Sequence, residues 1–268
     1  MPGQPYRHVY QDDDPAPLVR TARGRRTLEF TPGDIQSEML LSRPYALTLA
    51  YLRAMMCFVL FVPRPRHIVM VGLGGGSLVK FCRRHFPGTR ITVIELRADV
   101  IALREQFHVP PDDDCLSVVH ADAADYLPRL AGQADVLLLD GFDAAGLPPR
   151  LADAAFYADC RRALRPGGVL VANVFSYDPR HDAVLAALGA VFDGRVCAPR
   201  GVAGNNRIVF AVAGGAATPA APMQRCLARR GGLGAGWLNR LGVRLVLAWI
   251  IMRTVLPLPQ RERARPGS

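Results

Sequence analysis

The chain has 268 residues, half of them apolar, with 33 basic against 23 acidic side chains and a formal net charge of +10. That length and apolar content suit one sizeable α/β core with appendages and exclude a disordered or fibrous chain. From Gly215 onward nine arginines face one acid, so most of the net charge sits in a tail, and the basic balance gives no support to a nucleic-acid-binding core.

In chain order, residues 1–36 open without an apolar run of the secretory kind, so a cytoplasmic setting is expected. Leu18 to Thr21 and Thr27 to Phe30 read as two short strands around Gly24, a small N-terminal β-hairpin. The next stretch, "SEMLLSRPYALTLAYLRAMMCFVLF", carries apolar residues at helical spacing. It reads as a helix packed on the core with Ser37 as its N-cap. From His67 strands alternate with helices: strands at 67–73, 90–96, 116–122, 134–140 and 169–175, helices at 77–86, 98–107, 123–130 and 151–164. Residues 191–199 and 206–213 read as a closing antiparallel pair. This pattern predicts an α/β fold, a doubly wound, mostly parallel sheet, over residues 37–212. A Gly/Ala/Pro-rich linker follows at 213–224, and a basic amphipathic tail at 225–268. Arg240, Arg244 and Arg253 flank an apolar face with Trp237 and Trp249, and the run from Leu245 to Met252 is too short to span a bilayer. The tail is therefore a helix docked on the domain or on a second copy in a homodimer, or an interfacial helix in peripheral contact with a membrane. The docking reading is the expectation here.

In a doubly wound sheet, ligands sit at the carboxyl ends of the strands. The first strand runs into "GLGGGS", where Gly72, Gly74, Gly75 and Gly76 let backbone N–H groups approach a ligand at a helix N-terminus. Glu95 ends the second strand, about 20 residues on, the spacing of an acid that accepts ribose hydroxyls. Asp122 ends the third and either caps the next helix or faces the exocyclic amine of an adenine. Asp140 and Asp143, in "DGFD", follow the fourth. Aligned on Gly72 and Gly74, Ser77 falls where a dinucleotide loop has its last glycine, which disfavours NAD. An adenosyl sulfonium has no phosphate and tolerates neighbouring carboxylates, so it suits this set of acids. The six cysteines form no CxxC pair or zinc-type spacing, and no metal is expected.

The run "GDIQSEML…YLRAMM…VMVGLGGGSL…VIELRADVI…VVHADAADYL…VLLLDGFDAAGLP…FYADCRRALRPGGVLVANVF" resembles the spermidine synthases (polyamine aminopropyltransferases), most closely their bacterial spermidine-synthase-like branch. The resemblance implies a fold of the class I S-adenosylmethionine methyltransferase type. It implies transfer of an aminopropyl group from decarboxylated S-adenosylmethionine to a small-molecule amine, with no metal. Gln36 then contacts the nucleoside, Glu95 the ribose, and Asp122 with Ala123 the adenine. Asp140 accepts the proton, while Asp143 and Tyr51 belong to the amine site. Three departures stand out. The family loop GGGDGG has Gly75 in place of its acid, a tyrosine-histidine pair appears as Tyr51-Leu52, and D-S/T-x-D-P becomes "DGFDA" with Phe142 inside. The nucleoside half is thus better kept than the amine half. The loss of the loop acid favours the alternative, an S-adenosylmethionine-dependent methyltransferase. A non-catalytic nucleoside-binding protein is the third reading.

Overall fold

The N-terminal sheet has three antiparallel strands where the sequence reading has two. Strands β1 (Leu18–Ala22) and β2 (Arg25–Glu29) form the expected hairpin, turning at Gly24 with φ +72°. The segment assigned to a helix starting at Ser37 is instead a third strand, β3 (Ile35–Leu40), paired with β2 in a register that includes Leu28↔Ser37 and Arg26↔Met39. Its side chains alternate, with Ser37 and Met39 buried and Gln36, Glu38 and Leu40 half-buried. Over so few residues the apolar positions fit either period, and the free edge of β2 decides the matter by offering backbone partners. Pro44 also disfavours a helical Arg43. Helix α1 therefore starts only at Ala50 (Ala50–Met55) and tightens into a 3-10 turn over Met56–Leu60. This computed structural model describes residues 16–141, 147–198, 203 and 205–214. The linker beyond Gly214, the tail, and Phe142 and Asp143 lie outside the described residues.

The main sheet comprises β4 (His67–Val71), β5 (Arg90–Glu95), β6 (Leu116–His120), β7 (Ala134–Leu139), β8 (Leu164–Phe175), β9 (Val196–Cys197) and β10 (Asn206–Val212). Its order is β6-β5-β4-β7-β8-β10-β9. The first five are parallel, and β10 runs antiparallel to β8 and β9. The crossovers carry α2 (Ser77–His85), α3 (Ala98–Ala102), α4 (Ala123–Tyr126), α5 (Ala154–Ala163) and α6 (His181–Val191). Every residue of β4 is buried, as expected of a parallel strand covered on both faces. Ile68, Met70, Val136 and Leu138 face Met55, Phe58 and Phe81 on one side. Val69, Val71, Leu137 and Leu139 face Leu127, Tyr157 and Leu188 on the other. Among the described residues no helix is long and apolar enough to cross a membrane.

Helix α6 has no counterpart in the sequence reading. "HDAVLAALGAV" is apolar almost throughout, so no amphipathic period marks it, although only Val184 and Leu188 are buried. The "RPGG" turn is absorbed into β8, because Gly167 N–H donates to Ala213 O at 2.9 Å and extends the antiparallel pairing with β10. The strand order reverses at β4: β5 and β6 lie to one side, β7 and β8 to the other. A crevice opens at the carboxyl ends of β4 and β7, where a doubly wound sheet holds its ligand.

Candidate functional site

The crevice is a cavity of about 1150 Å³ whose wall includes Gln36, Tyr51, Gly72, Gly74, Glu95, Asp122, Ala123 and Asp140. The sheet brings them together because each ends a strand or lies just beyond one, while Gln36 arrives from β3 and Tyr51 from α1.

The loop after β4 is shaped by close approaches. Gly72 has φ +92°, and a Cβ there would overlap the main-chain oxygen of Asp140. The ends of β4 and β7 can meet so closely only without a side chain at that point. Gly72→Ala is therefore expected to lower stability by about 2 kcal/mol or more in urea denaturation, combining left-handed strain with displacement of Asp140. Gly76 N–H donates to Leu73 O at 2.8 Å, and Gly76 caps α2 in the left-handed region.

Glu95 is buried and accepts from Leu73 N–H at 2.7 Å and from Arg97 N–H at 2.9 Å. Burial raises its pKa, and backbone N–H donors from Arg97, Leu73, Leu96 and Gly74 oppose that rise. The acid thus binds the glycine loop to the end of β5 while facing the cavity. Of the two roles weighed from the sequence, Asp122 takes that of helix cap, and it also stands in the cavity wall. Its Oδ1 accepts from Ala124 N–H at 2.8 Å as the N-cap of α4, and its carboxylate lines the cavity. Its Oδ2 is ion-paired with Arg150. Gln36 donates to Asp34 Oδ2 at 2.9 Å.

Asp140 faces the cavity between the glycine loop and β8. Asn173 Nδ2 donates to its Oδ1 at 2.9 Å, and Tyr51 donates its hydroxyl to the same carboxylate. Asn206 Nδ2 donates in turn to Asn173 Oδ1 at 3.0 Å, so β10, β8 and the acid form one chain of hydrogen bonds. Burial pushes the Asp140 pKa up to about 6, and the bonds from Asn173 and Tyr51 hold it back. Burial, with the negative charge of Asp140 beside it, raises the Tyr51 phenol well above its ordinary range, so Tyr51 stays a donor.

Asn173, Asn206 and Arg150 escaped the sequence reading, which has Ser37 as a helix cap and not at the site. Asn173 left a signal, a lone amide in the apolar run "VLVANVF", where a polar side chain needs a partner. Arg150 and Ser37 left none, because their importance comes from contacts with distant segments. A Cβ on Gly75 would lie 2.6 Å from Ser37 Oγ and 2.9 Å from the Phe107 ring. Strand β3, through Ser37, and the Phe107 ring therefore share the space a larger residue at 75 would need.

The spermine/spermidine synthase domain model matches residues 48–184, just over half of the chain. This chain belongs to the spermine/spermidine synthase family. It is 40% identical over 172 residues to a polyamine aminopropyltransferase of Chromobacterium violaceum, covering 64% of this chain and 66% of that one. It is also 33% identical over 144 residues to the mouse eEF1A lysine and N-terminal methyltransferase, covering 50% of this chain and 21% of the relative. A probable spermidine synthase from Corynebacterium glutamicum superposes with a TM-score of 0.65 at 21% identity, over 84% of this chain and 90% of that one, so the two share the fold. The family membership agrees with the resemblance read from the glycine loop, the strand-end acids and the "FYADCRRALRPGG" run.

Proposed function

We propose that this member of the spermidine synthase family transfers an aminopropyl group from decarboxylated S-adenosylmethionine to a small-molecule amine. The observation that carries the reading is Asp140, a carboxylate held by Tyr51 and Asn173 beside the glycine loop, with a pKa of about 6 that leaves it ionised and basic at neutral pH. The cavity suits an adenosyl group: Glu95 and Asp122 reach its wall, and Gly72 and Gly74 line it with no side chain to fill it.

When bound, the donor supplies an electrophilic carbon next to its sulfonium and a thioether as leaving group. The protein's part is to orient and deprotonate. Asp140 accepts one proton from the acceptor's ammonium, freeing the nitrogen lone pair that forms the new C–N bond as the C–S bond breaks and the thioether leaves. Tyr51 and Asn173 hold the carboxylate in place and leave it acceptor capacity for the proton. Asp143 is assigned the acceptor's second ammonium. Positioning in the cavity supplies much of the remaining acceleration.

Donor choice can be argued from charge. The arginines among the described residues of the cavity wall are Arg97, Arg150 and Arg180, and each pairs with an aspartate: Arg97 with Asp99, Arg150 with Asp122 and Asp125, Arg180 with Asp178. A donor carboxylate finds no uncommitted cation among these residues, whereas a purely cationic tail meets Asp34 and Asp140. Against this, the loop has Gly75, packed closely by Ser37 and Phe107, where the family has an acid, which favours S-adenosylmethionine and methyl transfer, the chemistry named for the mouse relative. Calorimetric titration separates the two. Decarboxylated S-adenosylmethionine is expected to bind about tenfold tighter or more than S-adenosylmethionine, the scale of one unmatched buried charge. The reverse order would make the protein a methyltransferase. Binding without turnover on a panel of amines would leave a nucleoside-binding protein.

A further inference from the structure

Asp122 has both carboxylate oxygens engaged. Oδ1 accepts from Ala124 N–H at 2.8 Å at the start of α4, and Oδ2 is paired with the Arg150 guanidinium. An amine donor at Oδ2 would therefore compete with a cation already paired there. Arg150 stands in a 3-10 turn, Pro149–Leu151, whose residues line the cavity across from Asp122, and buried Leu151 anchors that turn. Its other terminal nitrogen donates to Asp125 Oδ1 at 2.8 Å, on the exposed side of α4.

The bridge leaves Arg150 with a partner on Asp125 if it lets go of Asp122. It can span both acids, or it can release Asp122 and remain on Asp125. We propose that Arg150 is a latch on Asp122: its guanidinium competes with a purine 6-amine for Oδ2. The inference rests on reading Asp122 as the acid that faces the base. The exchange swaps one hydrogen-bond donor for another at Oδ2, so its net cost is that of breaking half of a partly exposed ion-pair bridge. A purine with a 6-oxo group has no proton to offer Asp122 and is repelled by it. The same guanidinium can donate to that oxo group, so Arg150 lowers affinity for 6-amino purines and softens rejection of 6-oxo purines.

The test is calorimetric titration of wild type, Arg150→Leu and Asp125→Asn with S-adenosylhomocysteine and S-inosylhomocysteine. Arg150→Leu is expected to bind S-adenosylhomocysteine about two- to fivefold tighter, the scale of a partly exposed ion pair. It should bind S-inosylhomocysteine no tighter than wild type does, and added salt should narrow the gap between the two proteins for the adenosyl ligand. Asp125→Asn, a surface change, removes the resting partner and should shift adenosyl affinity the opposite way. It keeps the idea testable if Arg150→Leu melts early. Equal or weaker adenosyl binding by Arg150→Leu, or equal or tighter binding by Asp125→Asn, overturns the latch. A Glu95→Gln control separates the failures. If it weakens binding while Arg150→Leu changes nothing, the nucleoside site stands and the latch falls. If none of the proteins binds either ligand, the site reading falls and the latch with it.

Discussion

Asp140→Asn is expected to cut turnover by two or more orders of magnitude while leaving adenosyl-ligand affinity nearly intact. The amide keeps the shape and can still accept from Tyr51 or Asn173, but it cannot take a proton from the attacking amine, and loss of a general base is worth about 10²–10⁴-fold. The pH profile of the wild-type enzyme gives a second reading of the same group. With the Asp140 pKa at about 6, kcat/KM should rise as pH increases through that value and level off above it. Stability should move the other way. Burial raises this acid from its ordinary 3.8, so the folded state holds the proton more tightly than the unfolded chain, and ionisation costs the fold as pH rises from about 4 to about 6. The Asn variant avoids that cost. It should be as stable as wild type below about pH 4 and more stable above about pH 6, by at most ~3 kcal/mol, less where cavity water solvates the carboxylate. A fully active Asp140→Asn enzyme would sink the mechanism, and a melting difference that does not change with pH would sink the assignment of the shifted pKa.

Glu95→Gln is expected to weaken S-adenosylhomocysteine binding by about 1.5–3 kcal/mol, or roughly 10- to 150-fold, as the range for a lost charge-assisted hydrogen bond. Two causes combine. A neutral amide is a poorer acceptor for ribose hydroxyls, and its NH2 must face either Leu73 N–H or Arg97 N–H, both donors to the wild-type carboxylate. The glycine loop therefore loosens along with the ligand contact, and a lower melting temperature without ligand should accompany the loss. Calorimetry and thermal melting on the same variant read the two separately. Unchanged ligand affinity would remove Glu95 from the nucleoside site.

Much of this site was open to a reader of the sequence because a parallel sheet has a simple geometry. Strands in βαβ units run the same way, so their last residues share one edge. Gly72, Glu95, Asp122 and Asp140 are strand-end residues that can be lined up by counting along the chain. The alternation of buried strands and helical crossovers carried the fold class in the same way, since each element left its own period in the sequence. Asp143 is equally legible in "DGFD", and its place in the amine site rests on the family resemblance.

The remaining decisions needed the folded chain. The period of Ser37 to Leu40 is ambiguous, and β3 exists because β2 presents an open edge; local pattern cannot hold a backbone partner nine residues back. From that one strand follows Ser37 against Gly75, and with it the argument over the donor's tail. Asn173 and Asn206 sit 33 residues apart and reach Asp140 only through the antiparallel pairing of β8 and β10. Arg150 meets Asp122 at a separation of 28 positions along the chain. The sequence by itself determined which groups stand at the strand ends, because backbone periodicity places them. Only the tertiary structure decided how each is hydrogen-bonded, charged and shielded, because those properties depend on side chains brought in from segments with no shared period.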